Sequence, residues 1–167
     1  MKVRVLREAE IQDLLTLEET IAAVEQSLAD YSSGKAVVPA VVNLDIDPHR
    51  GEVHVKSAYL QGGKYYVIKV ASGFYQNPRR GLPVGNGLLL LFAAETGLLE
   101  CLLLDNGIIT EMRTAAAGAV AAKYLAKQDI RRAGLVGSGT QARFQLTALL
   151  AVRRPQEVWV WSRNPAN

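Results

Sequence analysis

Two groups of residues in this chain have the types and spacing to do chemistry. The first is Gly137-Ser138-Gly139-Thr140-Gln141-Ala142, a G-x-G-x-x-A run that follows the apolar stretch Ala133 to Val136. Gly137 permits a tight turn, Gly139 lets backbone approach a pyrophosphate, and Ala142 is small enough for a helix to pack closely on a strand. The N-terminus of that helix then offers free N–H groups and a positive dipole end to an anion. The second group is cationic. Lys69, in Val67-Ile68-Lys69-Val70, shares a strand face with Val67 and Ala71, and Lys56, in Val53-His54-Val55-Lys56, stands in a similar setting. Both lysines also have a plainer reading as solvent-facing residues of an edge strand. Arg113 falls between a turn and an alanine-rich helix start, where a positive charge opposes the dipole. A cation placed there serves an anion such as a carboxylate or phosphate. Asn86, Asn106 and Thr110 are polar orienters, or turn and cap residues. His49 and His54 do not make a metal-ligand spacing with Cys101, so no metal is expected, and no nucleophile–base arrangement is visible.

The glycine run needs a strand before it and a helix after it. Arg143 to Val152 supplies the helix, with Phe144, Leu146, Leu149 and Leu150 as its apolar positions, and Val158-Trp159-Val160-Trp161 reads as a second strand. Strand, glycine turn, helix and strand open a dinucleotide-binding βαβ unit. Upstream, Val3 to Leu6 reads as a strand and Arg7 to Leu14 as a turn and brief helix. Thr16 and Glu19 make a capping box for a helix whose face is Ile21, Val24, Leu28 and Tyr31, ended by Gly34. Ala40 to Ile46 fits a half-buried strand loosely. Glu52 to Tyr59 and Tyr65 to Ala71 form a hairpin about Gln61-Gly62-Gly63. Ser72 to Asn86 reads as a long Gly/Pro-rich loop, a length that is usually functional. Leu88 to Ala93 and Leu98 to Leu104 are strands, and Ile109-Thr110-Glu111 starts a small-residue helix, Arg113 to Lys127, open to close backbone approach.

Composition narrows the class. The chain has 167 residues, 49% of them hydrophobic, and a net charge of +3. The basic pairs Arg79-Arg80, Arg131-Arg132 and Arg153-Arg154 suit helix ends and turns better than a nucleic-acid face. A single cysteine, Cys101, excludes an internal disulfide and, lying in an apolar run, reads as a buried thiol. Arg4, Arg7, Glu8 and Glu10 interrupt the early apolar residues, and Leu88 to Ala94 is too short to span a bilayer. A cytoplasmic protein without membrane or nucleic-acid partners is expected. The fold class is mixed: a mainly antiparallel α+β domain over residues 1–130, then the start of a Rossmann domain over residues 131–167. A complete Rossmann domain needs more strands than follow Trp161, so the sequence predicts a truncated cofactor domain.

The R-T-A-A run at Arg113 to Ala116 upstream of the G-x-G-x-Q loop, with K-V-A-S-G-F at Lys69, G-N-G at Gly85 and L-L-L-D-N-G at Leu102, resembles the ornithine cyclodeaminase/μ-crystallin family. The resemblance covers the chain from about Leu6 onward and is strongest to the ectoine-utilisation, cyclodeaminase-like branch. It implies a homodimer with a substrate-binding and dimerisation domain and a Rossmann domain for NAD or NADP. It also implies hydride transfer at the α-carbon of a small amino or imino acid, as a cyclodeaminase, an imine reductase or an amino-acid dehydrogenase. A non-catalytic NADP(H) binder of the μ-crystallin type is the alternative, and an inactive fragment a third. By the same resemblance Lys69 and Arg113 hold the substrate carboxylate, and Thr140 and Gln141 belong to the pyrophosphate turn. Asn86 is counted among the cofactor residues. Three departures stand out. Ala40 occupies the place of the family's first carboxylate-binding arginine, for which Lys56 would compensate. Trp161-Ser162-Arg163-Asn164 replaces the ribose-reading acid, and Ser162 with Arg163 suits a 2′-phosphate, which favours NADP(H). The family's catalytic aspartate is expected beyond Asn167, so no catalytic residue is assigned.

Overall fold

The computed structural model describes residues 2–163. Their packing forms two compact units, one of residues up to Leu14 with Ala29–Ile108, the other of Leu15–Leu28 with Ile109 onwards.

The first unit is a seven-stranded sheet. Its strands are β1 (Arg4–Arg7), β2 (Ala36–Val37), β3 (Val42–Ile46), β4 (Gly51–Leu60), β5 (Tyr65–Phe74), β6 (Gly85–Ala93) and β7 (Leu99–Leu104), with the short helix α1 (Glu8–Leu14) following β1. The order is β1-β7-β6-β5-β4-β2, and β3 also pairs with β4. All neighbours are antiparallel except β1, which runs parallel to β7 with Arg4 opposite Cys101. The expected mainly antiparallel sheet is therefore present, and Cys101 is buried in it.

The loop expected from Ser72 to Asn86 is shorter than its composition suggests. β5 runs on to Phe74 and β6 begins at Gly85, so Ser72 lies opposite Asn86 and Gly73 opposite Gly85 in regular register. Gly87 on β6 serves close packing: a Cβ there would stand 3.0 Å from the Val70 carbonyl oxygen. The remaining connection holds a 3-10 turn, Asn77–Arg80, closed by Gly81 at φ 69° and by the Asn77 side chain donating to the Pro83 carbonyl at 2.8 Å.

The second unit is built on three helices and a two-stranded parallel sheet. The helices are α2 (Leu17–Ser32, whose first part belongs here), α3 (Ile108–Leu125) and α4 (Thr140–Val152); the strands are β8 (Arg132–Val136) and β9 (Glu157–Trp161). Its core is small-residue packing. Ala115, Ala116, Ala119 and Val120 of α3 meet Ala148 of α4 and Ile21 of α2, with Leu17, Val24, Phe144 and Val152 around them. Three of these alanines are fully buried, which lets helix backbones approach closely. Leu150 is largely exposed, so the seat on α4 belongs to Ala148 instead. Leu28 and Tyr31 are likewise exposed, so only the Ile21–Val24 part of the expected α2 face is packed.

At the start of α2 the Glu19 N–H donates to Thr16 Oγ1 at 3.2 Å, as a capping box requires. The return bond runs from the Thr16 hydroxyl to the Glu19 carboxylate at 2.7 Å. Arg153 confirms the helix-end reading of its basic pair. Its guanidinium donates to the carbonyls of Lys127, Lys123 and Ala126 at the C-terminal end of α3. The packing boundary at Ile108/Ile109 differs from the boundary near residue 130 expected from the sequence, because α3 packs on α4 through these alanines.

Candidate functional site

In the second unit, β8 and β9 run parallel in register, Arg132 opposite Glu157 through Val136 opposite Trp161. β8 ends at Gly137, whose φ of 115° is open to glycine and strained for other residues. The Gly137 N–H donates to the Trp161 carbonyl at 2.8 Å, which ties the turn to the end of β9. The Ser138 and Ser162 hydroxyls meet at 2.8 Å and make a second tie. Gly139 is the N-cap of α4 and brings no side-chain cap, and a Cβ built on it would meet nothing within 4 Å. The first N–H groups of α4 are thus left to a ligand rather than to a capping side chain. An open groove of about 610 Å³ lies here, lined by Val136, Gly137, Ser138, Gly139, Trp161, Ser162 and Arg163. A strand ending in a positive-φ glycine, an uncapped helix start and a groove along both strand ends fit the pyrophosphate and ribose of a dinucleotide. Thr140 and Ala142 lie in the first turn of α4, as expected. Ser162 and Arg163 line the groove beside Trp161, while Asn164 lies outside the described residues.

One residue of this motif is turned away. The Gln141 side chain donates to the Glu111 backbone carbonyl at 3.2 Å and also to the Glu111 carboxylate. Gln145, one turn on, donates to the Thr114 carbonyl at 3.1 Å. The i, i+4 spacing of two glutamines on α4 is the only trace of this in the sequence.

Arg113 lies on α3 between Glu111 and Thr114, with its side chain exposed. The helix begins at Ile108, more than a turn before Arg113, after an Asp105-Asn106-Gly107 turn with φ 48° at Asn106 and 95° at Gly107. The argument from an opposed helix dipole therefore does not hold, because the dipole's effect is confined to the first turn. The early start follows from the turn itself, where the Ile108 N–H bonds the Asp105 carbonyl at 2.9 Å.

In the first unit, β4 and β5 pair with Lys56 directly opposite Lys69. Alternation puts both on one sheet face, with Lys69 half-buried and Lys56 exposed. Ala71 and Gly73 of β5 and Gly85 and Gly87 of β6 share that face with Glu52 and His54 of β4, and a Cβ on Gly73 would stand 3.4 Å from Glu52 Oε1. Asn86 pairs with Ser72 and so points to the other face. The structure thus brings Lys56 and Lys69 together and separates Asn86 from them within the unit. Beside the lysines runs a polar row that the sequence did not mark: Tyr75 donates to Glu52 at 2.6 Å, and His54 Nδ1 meets Asn43 Oδ1 at 2.6 Å. The Tyr75 hydrogen bond, helped by nearby His54, holds the Glu52 carboxyl below its ordinary pKa, and Glu52 in turn pushes the Tyr75 phenol up. Among the described residues no group of three His, Cys, Asp or Glu side chains is placed to hold a metal, and no helix is long and apolar enough to cross a membrane.

A sequence profile of the Ornithine cyclodeaminase/mu-crystallin family matches residues 1–167. The chain belongs to that family. An uncharacterized cyclodeaminase of Sinorhizobium fredii is 42% identical over 97% of this chain and 50% of its own. Alanine dehydrogenase of Archaeoglobus fulgidus is 37% identical over 91% of this chain and 46% of its own. Among solved structures, Thermococcus litoralis Delta(1)-pyrroline-2-carboxylate reductase in complex with NADH and L-proline superposes with a TM-score of 0.92 at 34% identity, covering 98% of this chain and 50% of that one. The chain spans about half the length of the curated relatives it matches. The relatives include reductases, dehydrogenases and cyclodeaminases, and three of the solved structures hold NAD or NADH. The expected antiparallel sheet followed by the start of a dinucleotide-binding domain matches about half of each such structure.

Proposed function

We propose that this chain supplies the substrate cations and the pyrophosphate loop of an NAD(P)-dependent enzyme acting on a small amino or imino acid. By role, residues 1–130 are the substrate-binding and dimerisation part, and residues 131–167 the cofactor part. The observation that carries the reading is the Lys56–Lys69 pair. Two lysines directly opposite on neighbouring strands can both donate to one carboxylate. In this reading Lys56 stands in for the arginine missing at Ala40, and Arg113 supplies a further cation. Gly137, Gly139, Thr140 and Ala142 receive the pyrophosphate, and Ser162 with Arg163 favour the 2′-phosphate of NADP(H). A bound nicotinamide would supply hydride chemistry at the substrate α-carbon, and the residues of this chain would orient the carboxylate and the cofactor for it. The assembly is a cytoplasmic homodimer, as a dimer is recorded for the archaeal alanine dehydrogenase.

The test is titration with NADH and NADPH, followed by NAD(P)⁺-dependent turnover of ornithine, 2,4-diaminobutyrate and alanine, on a protein that extends past Asn167 and includes the expected aspartate. Tighter binding of NADPH, lost in Arg163→Ala, supports the cofactor reading. Cofactor binding with no turnover of any amino or imino acid would replace the enzyme by a binder of the μ-crystallin type.

A further inference from the structure

We infer that Gln141 is a positioning residue that couples the cofactor loop to the Arg113-bearing turn of α3. The inference rests on the reading of the Gly137–Ala142 groove as the dinucleotide site. Gln141 follows Thr140 in the first turn of α4, the segment whose N–H groups face that groove. Its side chain points the other way, donating to the backbone carbonyl and the carboxylate of Glu111. Gln145 continues the contact by donating to the Thr114 carbonyl at 3.1 Å and to Gln141 Oε1 at 3.4 Å. Glu111 and Thr114 bracket Arg113, so two amides of α4 hold the turn that carries it.

The surroundings are built for this contact. Gly118 has no Cβ, and one built there would collide with the Gln145 amide, so glycine leaves the space that Gln145 occupies. Ala115 and Ala116 are fully buried beside the bonded carbonyls, which keeps water from competing for them. Thr114 Oγ1 donates back to the Thr110 carbonyl at 2.6 Å and stiffens the same turn. A ligand that orders the first turn of α4 therefore orders the backbone on either side of Arg113. The coupling runs through hydrogen bonds between two adjacent helices and requires no large movement.

Amide hydrogen exchange of the wild-type chain, with and without NADH, tests this beside two variants. Gln141→Met keeps the length of the side chain and removes its donor. Gln141→Glu combined with Glu111→Gln exchanges donor and acceptor. In the wild type, NADH is expected to slow exchange across Glu111–Thr114. In Gln141→Met, saturating NADH no longer slows that segment. The double variant recovers the slowing, which a loss of general stability would not. An increase of about tenfold or more in the NADH Kd of Gln141→Met, with the slowing intact, overturns the inference and makes the side chain a cofactor ligand. NADH binding to the wild type without any change at Glu111–Thr114 also overturns it while leaving the cofactor reading standing. A wild-type chain that binds no NADH overturns the cofactor reading and this inference together.

Discussion

Lys56 and Lys69 face each other across β4 and β5, and their proximity has a measurable cost before any ligand arrives. Removing one charge, as in Lys56→Gln, is expected to raise the stability of the free chain by about 0.2–1 kcal/mol at low salt. The gain should fade as salt screens the pair, and urea unfolding at two ionic strengths reads both effects. The same variant should weaken binding of the amino-acid carboxylate; unchanged affinity would remove Lys56 from the site. Stability gained where affinity is lost is the mark of a functional position. The Glu52–Tyr75 bond sets a different dependence. The Glu52 carboxyl titrates below its unfolded value, so its contribution is present above that value and is lost as pH falls through the folded pKa. The Tyr75 phenol titrates above its unfolded value, so its contribution is present below that value and is lost as pH rises through the folded pKa. Tyr75→Phe should therefore lower the melting temperature on the plateau between the acid and alkaline limits. The difference from wild type should vanish at both ends; a pH-independent difference would assign the effect to packing instead.

At the scale of elements, the sequence was most informative where a pattern is local. The hairpin of β4 and β5, the glycine turn before α4 and the cap at Thr16 depend on neighbouring residues, and each was legible. The ends of β5 and β6 were not, because Ser72, Gly73 and Gly85 carry turn-like residue types whose pairing is decided across strands. The start of α3 was only partly legible: Ile109-Thr110-Glu111 reads as opening it, yet its body was set from Arg113, because Asp105-Asn106-Gly107 signals a turn without saying that the helix begins at once after it. Site residues followed the same division. Lys69 and the glycines could be named from type and spacing, whereas the Lys56–Lys69 juxtaposition and the Gln141–Glu111 contact are matters of register and packing. Arg153 shows what such long-range contacts hold together. It is nearly buried, and its guanidinium satisfies carbonyls at the end of α3. Arg153→Ala is expected to destabilise the chain by about 1–3 kcal/mol in urea unfolding, since the carbonyls are left without a donor. Lysine at that position should restore little, because a single ammonium cannot reach several carbonyls as a planar guanidinium does.

Across the whole molecule, the two units bury their apolar residues unequally. Trp161 is 62% exposed and Val136 85% exposed at the mouth of the groove. Trp159 is also exposed, stacked beneath the Arg132 guanidinium at 4.9 Å. Both tryptophans are therefore expected to be quenched readily by acrylamide. A dinucleotide in the groove should protect the part of the emission that belongs to Trp161, and Trp161→Phe should abolish that protection. The parallel pairing of β1 with β7 has a temporal meaning. Arg4 to Arg7 are made first, yet the strand they join ends at Leu104, and every other strand of that sheet is synthesised in between. The opening segment must wait through most of the sheet's translation before it has a partner. It then closes a long loop, a slow step for contacts so distant in sequence. Until that moment β7 is a naked edge, so the strand of this sheet that is made earliest is the last to seal it there against a neighbouring chain.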